Sequence, residues 1–576
     1  MSEFDDDFLL RPGRVGFDRS AKPARFLGQV RRAIEAAGDP GPGRRVGARG
    51  RTGGRLGRGA GRARAGAETN RRVIVKARVV RQSGSRYRAA PLARHISYLQ
   101  REGVTRDETA ARMFDAHGDA DVAAFAERCE DDRHHFRFIV SPEDAAELAD
   151  LRAFCRDLMG RAEADLGTRL DWVAIDHWNT DNPHLHVLVR GRADDGKDLV
   201  IAGEYLGSGL RRRAQALATL ELGPRTQHEI DAGRDADVAA DRWTRLDQAL
   251  VKAAHPGDRV VDLRRDAAGG HDDARRLGRA AHLEKLGLAQ AEGPGRWRLA
   301  DDLEPRLRDL SVRGDIIKTY HQAMARGGRH PTPERLVIHG QDDGPPVIGR
   351  LVDRGLHDEL TGSAYVLVDG MDGRQHHLVF PDLAATTDAP TGAIVERRAY
   401  VDRDGVARQA LAVRSDLGLE AQVQARGATW LDRQILKRAP DDGAAGFASE
   451  VAAAMAKRAG VLVARGLASV RDGRLVPAPG LLATLQAQDL DSAAARLARE
   501  TGRPARSLAP GEAVEGVYQR RLDLASGRYA VLDDGLGFQL APWRSALEAR
   551  RGLTVAGVME PGGMTWSLGR ARGPGL

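Results

Sequence analysis

Residues 171–191 read DWVAIDHWNTDNPHLHVLVRG. Two apolar runs, DWVAIDH and LHVLVRG, flank an Asp-Asn-Pro turn signal, so they are expected to form two strands of an antiparallel hairpin. Residues two apart on a strand share a face. His184 and His186 therefore project together, Leu185 turns to the core, and the hairpin brings His177 back to their side. Three imidazoles converging on one cation is the expectation that follows. Three neutral nitrogen ligands favour zinc, nickel or copper by intrinsic affinity, and the ligand set alone does not choose the metal. A divalent metal ion is the cofactor expected.

Upstream of the hairpin, RRVIVKARVVRQ alternates Val73, Val75, Ala77 and Val79 with more polar neighbours, the pattern of a half-buried first strand. ARHISYLQREGVTRDE follows and leads into a helix expected through TAARMFDAHGDADVAAFAERCEDD. HHFRFIV reads as a second strand. Ser141 then reads as an N-cap with Pro142 at the first helical position, Glu143 and Asp144 in the first turn, and Leu148, Leu151, Leu158 and Ala162 as the apolar stripe. These pieces give an α+β domain over 71–240 with an antiparallel sheet.

Three segments of that domain resemble the motifs of the single-tyrosine relaxase and mobilisation nuclease family, the VirD2-like HUH endonucleases. ARHISYLQREG resembles the first motif and supplies Tyr98, HHFRFIVSPEDAAEL the second, and His177 with His184-Leu185-His186 the third. The resemblance implies that Tyr98 attacks one phosphodiester of single-stranded DNA at a transfer origin, forming a 5′-phosphotyrosyl link and freeing a 3′-hydroxyl, with Mg2+ or Mn2+ as the divalent ion in function, as is common in nuclease chemistry. It implies conjugative mobilisation of a plasmid or integrative element, with relaxosome accessory proteins and a type IV secretion coupling protein as partners. The tyrosine precedes the histidine pair, the order of relaxases; rolling-circle replication initiators place it after. An initiator and a non-catalytic DNA-binding regulator are the alternative readings. Tyr87, in the basic stretch SGSRYRAA, suits phosphate contact, and Arg94, Asn179 and Asn182 join it as candidate substrate contacts. Asn179 departs from the family, which often carries an acidic residue there; Asp176 or Asp181 would compensate. Glu102, His95 and Asp176 are the candidate acceptors of the tyrosine proton.

Charge is unevenly distributed. Residues 1–90 hold 22 Lys and Arg against 8 Asp and Glu, a local +14, which leaves −6 for the other 486 residues of a chain with formal net charge +8. GPGRRVGARGRTGGRLGRGAGRARAG, within residues 1–70, has almost nothing to bury and is expected to be a disordered arm attracted to polyanions by counterion release. No apolar run is long enough to span a bilayer and the N-terminus lacks the order of a secretory signal, so no membrane insertion and a bacterial cytoplasmic location are expected. Cys129 and Cys155 lack metal-ligand spacing and read as buried structural thiols.

Beyond residue 240 the chain repeats itself. HLEKLGLAQAEGPGRWRLAD and VLVARGLASVRDGRLVPAPG share a helix, a glycine stop at Gly287 or Gly466, and a short hairpin. In the β-rich stretches that follow, Val347 and Gly349 answer Val514 and Gly516, Gly362 answers Gly527, Tyr365 answers Tyr529, and Asp369 answers Asp533. Winged-helix-like modules are expected at 241–325 and 416–505, and small β-barrels at 331–415 and 508–576. This half resembles the uncharacterised, DUF3363-like extension of one relaxase branch. Arg275 and Arg279, with His282, fall on one face of DDARRLGRAAHLEKL and are candidates for DNA contact.

Overall fold

The computed structural model describes residues 69–81, 90–100, 111–178, 182–264, 271–340, 345–401, 405, 407–437, 446–509, 511–560 and 563–567. The basic arm lies outside them. The chain divides into two compact units, one of Met1–Asp315 with Glu359–Thr361, the other of Ile316–Asp358 with Gly362–Leu576. The whole is a mixed α+β protein. Among the described residues no helix is long and apolar enough to cross a membrane.

In the first unit the chain runs through β1 (Val73–Arg81), α1 (Ala90–Leu99), α2 (Val122–Arg128), β2 (His134–Pro142), α3 (Leu151–Leu166), β3 (Trp172–His177) and β4 (His184–Arg190). The four strands form one antiparallel sheet in the order β1-β2-β4-β3. The expected hairpin is present, with His177 opposite His184. Strand alternation sorts the side chains onto two faces. Trp172, Ala174, Leu185, Val187 and Val189 pack with Leu151, Phe154, Leu158 and Ala162 of α3 on one face. Val173, Ile175 and Leu188 pack with Leu92, Ile96 and Leu99 of α1 and Phe125 of α2 on the other. Each such buried Leu or Phe contributes roughly 1.5–3 kcal/mol.

Two helix boundaries differ from the sequence reading. Ser141 and Pro142 end β2, paired with Ile74 and Val73, and α3 starts only at Leu151, where Asp150 accepts from the Arg152 N–H at 2.8 Å. The Ser-Pro cap grammar is present, but the ladder to β1 takes those residues. Among the described residues, the helix expected over 109–132 is reduced to α2. Asp115 accepts from the N–H groups of His117 and Gly118 at 2.7 and 3.0 Å, closing a turn, and Phe114 bridges to Ala174. Asp121 then caps the short helix.

The first unit continues with α4 (Leu210–Leu222), α5 (Gln227–Val238), α6 (Arg245–Ala253), β5 (Val260–Asp262), α7 (His271–Lys285), β6 (Ala289–Gly293), β7 (Arg296–Leu299) and the start of α8 (Leu303–Arg326). The repeated helix–hairpin–helix is present. Its second copy, in the other unit, follows α9 (Leu419–Gln424) and α10 (Trp430–Lys437) and consists of α11 (Phe447–Ala464), β14 (Ala468–Arg471), β15 (Arg474–Pro477) and α12 (Leu481–Thr501). Gly287 and Gly466 end the helices at φ 67° and 69°, the left-handed region that glycine enters without strain.

Each copy is built on the same buried ion pair. Arg279 gives Nε and Nη2 to Asp247 at 2.7 and 2.9 Å, and its remaining hydrogens reach the carbonyls of Val238, Ala240 and Arg242. Arg458 repeats this with Asp432 at 2.9 and 3.0 Å and with the carbonyls of Val423, Ala425 and Gly427. Asp247 and Asp432 also accept from the backbone and hydroxyl of Thr244 and Thr429, each contact 2.7 Å. The sequence carries this as Thr-x-x-Asp followed by an arginine eight residues before the stop glycine.

The barrels expected in the second unit are open mixed sheets. The first has the order β13-β12-β9-β10-β11-β8, from β8 (Leu336–Ile338), β9 (Ile348–Asp358), β10 (Ser363–Gly370), β11 (Gln375–Phe380), β12 (Ile394–Val401) and β13 (Ala407–Ser415). The second runs β21-β20-β17-β18-β19-β16, from β16 (Ala505–Arg506), β17 (Ala513–Leu524), β18 (Gly527–Asp533), β19 (Phe538–Pro542), β20 (Thr554–Glu560) and β21 (Gly563–Ser567). The two orders are the same, and in each the last-named strand is parallel to its neighbour. No pair closes either sheet among the described residues. Gly349 and Gly516 answer one another for a steric reason: an added Cβ would lie 2.1 Å from the Asp369 carbonyl oxygen or 2.9 Å from that of Asp533.

Candidate metal centre

The three histidines lie on the sheet face that carries α1, and all are buried, at 0, 7 and 3 % exposure for His177, His184 and His186. Two of them are oriented by backbone carbonyls. His177 Nε2 donates to the carbonyl of Leu99 at 2.9 Å, and His184 Nδ1 donates to that of Asn182 at 3.0 Å. The opposite ring nitrogens, His177 Nδ1 and His184 Nε2, thereby present lone pairs. His184 Nε2 sits 3.1 Å from His186 Nε2.

A fourth group completes the cluster. The Glu359 carboxylate lies 3.0 Å from His184 Nε2 and from His186 Nε2, and 3.9 Å from His177 Nδ1. One atom from each of the four residues falls within 4.8 Å of every other. Burial opposes the charge on Glu359, but when their facing nitrogens carry protons His186 and then His184 outweigh it and hold the carboxyl well below its usual range. So many lone pairs at such spacing are stable only with protons or a cation between them. Metal–ligand bonds of about 2.1 Å place neighbouring ligands of an octahedron about 3.0 Å apart, the spacing found here among His184, His186 and Glu359. Three imidazoles and one carboxylate fit a divalent ion.

Tyr98 is on α1, half-buried, one residue before the carbonyl that His177 holds. Tyr87, Asn179, Asp181 and Glu102 lie outside the described residues, as does the side chain of Arg94. Asn182 is exposed and serves His184 through its backbone. Asp176 does not supplement the metal cluster. It follows the alternation to the opposite face, where it accepts from Arg152 at 2.8 Å and from the Trp178 indole at 2.7 Å. His95 is buried on α1, and burial, reinforced by the Arg137 guanidinium, holds it well below its ordinary range, so it is neutral. Cys129 and Cys155 are buried free thiols, and burial pushes Cys129 up to about 12.

The expectation that Arg279 and Arg275 contact DNA is corrected. Arg279 has no exposed surface, and its donors are occupied by Asp247 and three carbonyls. Arg275 is buried among Asp231, Asp235 and Asp272 at 3.0, 2.7 and 3.0 Å. Neither presents a groove-facing donor, and His282 is turned to Asp241 at 2.9 Å. Both arginines hold α7 in the fold.

Fold and cluster together define an α+β protein in which three histidines and a glutamate could hold a metal ion. The family model described as a protein of unknown function (DUF3363) matches residues 276–406 and 396–575, a span of 300 of the 576 residues, and the chain belongs to that family. The matched span includes Glu359 and excludes the three histidines. No curated protein and no solved structure matches.

Proposed function

We propose that the chain is a metal-dependent DNA relaxase, a strand transferase that nicks single-stranded DNA at a transfer origin through Tyr98. The observation that carries the reading is the placement of the three histidines and α1 on one sheet face, with His177 bonded to the residue after Tyr98. When bound, a divalent ion would polarise the non-bridging phosphate oxygens and offset charge building up there. His177, His184 and His186 would hold it. The Tyr98 oxygen forms the bond to phosphorus as the bond to the 3′-oxygen breaks, and the proton lost by the tyrosine hydroxyl passes in net to that oxygen, which leaves as a hydroxyl. The ester bond energy is kept in the 5′-phosphotyrosyl link, so religation needs no nucleotide. On this reading the basic arm binds DNA without sequence preference, and relaxosome proteins and a secretion coupling protein are the partners for mobilisation of a plasmid or integrative element.

Labelled single strands from the element's own origin, incubated with Mg2+ or Mn2+ and run on a denaturing gel, test this. Wild-type protein is expected to give a metal-dependent covalent adduct. Tyr98→Phe is expected to give none while still binding the DNA. If a verified origin yields no adduct with either metal, the enzyme reading fails and a DNA-binding regulator takes its place. A replication initiator would instead cut at a replication origin.

A further inference from the structure

The geometry points to Glu359 as a displaceable ligand that occupies the coordination position a substrate phosphate would use, so that the arrangement described above is a closed, self-occupied state of the site. The inference rests on the proposed phosphodiester chemistry only for the identity of the displacing group.

The four candidate ligands are held unequally. His177, His184 and His186 stand on strands, fixed by the β3–β4 ladder, and His177 and His184 are further bonded to carbonyls. Glu359 stands on a turn. The Gly362 N–H closes that turn onto the Asp358 carbonyl at 2.8 Å with φ 81° at the glycine, and the strand beyond it opens with a register shift between Ser363 and Ala364. Glu359 lies outside both flanking strands, so its side chain can leave without breaking a ladder. Among the described residues its carboxylate has no partner besides the three histidines.

A catalytic metal site keeps a position open for substrate, and a carboxylate oxygen and a phosphate oxygen are both hard anionic donors that compete for one cation. The Glu359 oxygen lies equidistant from two of the three histidine nitrogens, at 3.0 Å from each. That oxygen is thus a close neighbour of both nitrogens, the place a phosphate oxygen bound to the same cation would also need.

The test compares the full chain with Glu359→Ala, using Mn2+ alone and then inorganic phosphate as probes. Calorimetry gives the Mn2+ affinity, and water-proton relaxation of the bound Mn2+ reports exchangeable water and its displacement by phosphate. Glu359→Ala is expected to keep its Mn2+ affinity within about tenfold of wild type, a smaller loss than a fixed ligand would give. It is also expected to gain relaxation enhancement and to bind phosphate at least about tenfold more tightly, since one anionic competitor has been removed. Loss of Mn2+ binding as large as that caused by removing a histidine would make Glu359 a fixed ligand and overturn the proposal. So would unchanged phosphate affinity, or a wild-type protein that binds no Mn2+. None of these readouts involves Tyr98. A missing covalent adduct alongside intact Mn2+ and phosphate behaviour would remove the strand-transfer reading and leave this one standing.

Discussion

Asp247→Ala is expected to destabilise the first compact unit by about 3–5 kcal/mol, the cost of leaving a buried charge without its partner. Arg279 has no exposed surface, and its Nε and Nη2 groups are matched to the two Asp247 oxygens. The surrounding carbonyls of Val238, Ala240 and Arg242 satisfy the other hydrogens but bring no full negative charge. The same substitution removes the acceptor that caps α6 through Thr244. Replacing both partners, as in Asp247→Leu with Arg279→Met, removes the uncompensated charge and is expected to restore most of the loss. The second copy supplies an internal comparison, because Asp432→Ala strands Arg458 in the other unit. Urea unfolding followed by hydrogen exchange should show the Asp247 variant opening first around α6 and α7, and the Asp432 variant around α10 and α11. Unchanged protection in both variants would show that these pairs do not hold the fold.

His186→Ala is expected to lower Mn2+ affinity by more than about 100-fold, since losing even an outer partner of a metal ligand typically costs about 10–100-fold. The histidine is buried on β4 at 3.1 Å from His184 Nε2 and 3.0 Å from Glu359, and neither neighbour can replace its nitrogen without leaving its own position. Saturating Mn2+ should stabilise the wild-type first unit by about 2.7 kcal/mol at about 100 times the dissociation constant. The variant should show no such shift at the same concentration. Calorimetric titration of the two proteins checks the first statement and thermal unfolding with and without Mn2+ the second. Equal affinities would show that the histidines do not form the site.

The hairpin and the orientation of its histidines are legible in the sequence because a strand has a period of two and the Asp-Asn-Pro turn fixes where it reverses. The start of α3 departs from its sequence signal for a physical reason. Ser141 and Pro142 obey the grammar of a helix start, but a local preference worth about 1 kcal/mol loses to strand partners far upstream, at Ile74 and Val73. Glu359 is not legible. It lies 173 residues beyond His186, and nothing local to HDELTG marks its carboxylate as a ligand. Arg279 reads as exposed because amphipathic spacing cannot distinguish a solvated arginine from one whose donors are all bonded inside. The second copy holds the missing clue, since Arg458 keeps the same distance to Gly466 as Arg279 keeps to Gly287. The repeated β-rich stretches are visible as sequence echoes, but closure into a barrel depends on an edge-to-edge pairing that neither echo encodes.

The bond from His177 to the Leu99 carbonyl gives an imidazole of the His–Glu cluster a second duty, because it also fastens the last turn of α1. For a chain that uses Tyr98 as its nucleophile, the conformational freedom of that tyrosine's backbone is then surrendered once, on folding. It is not surrendered again at each encounter with a strand. On that reading ion and nucleophile form a single preassembled part, and a strand entering the site has only the Glu359 carboxylate to displace.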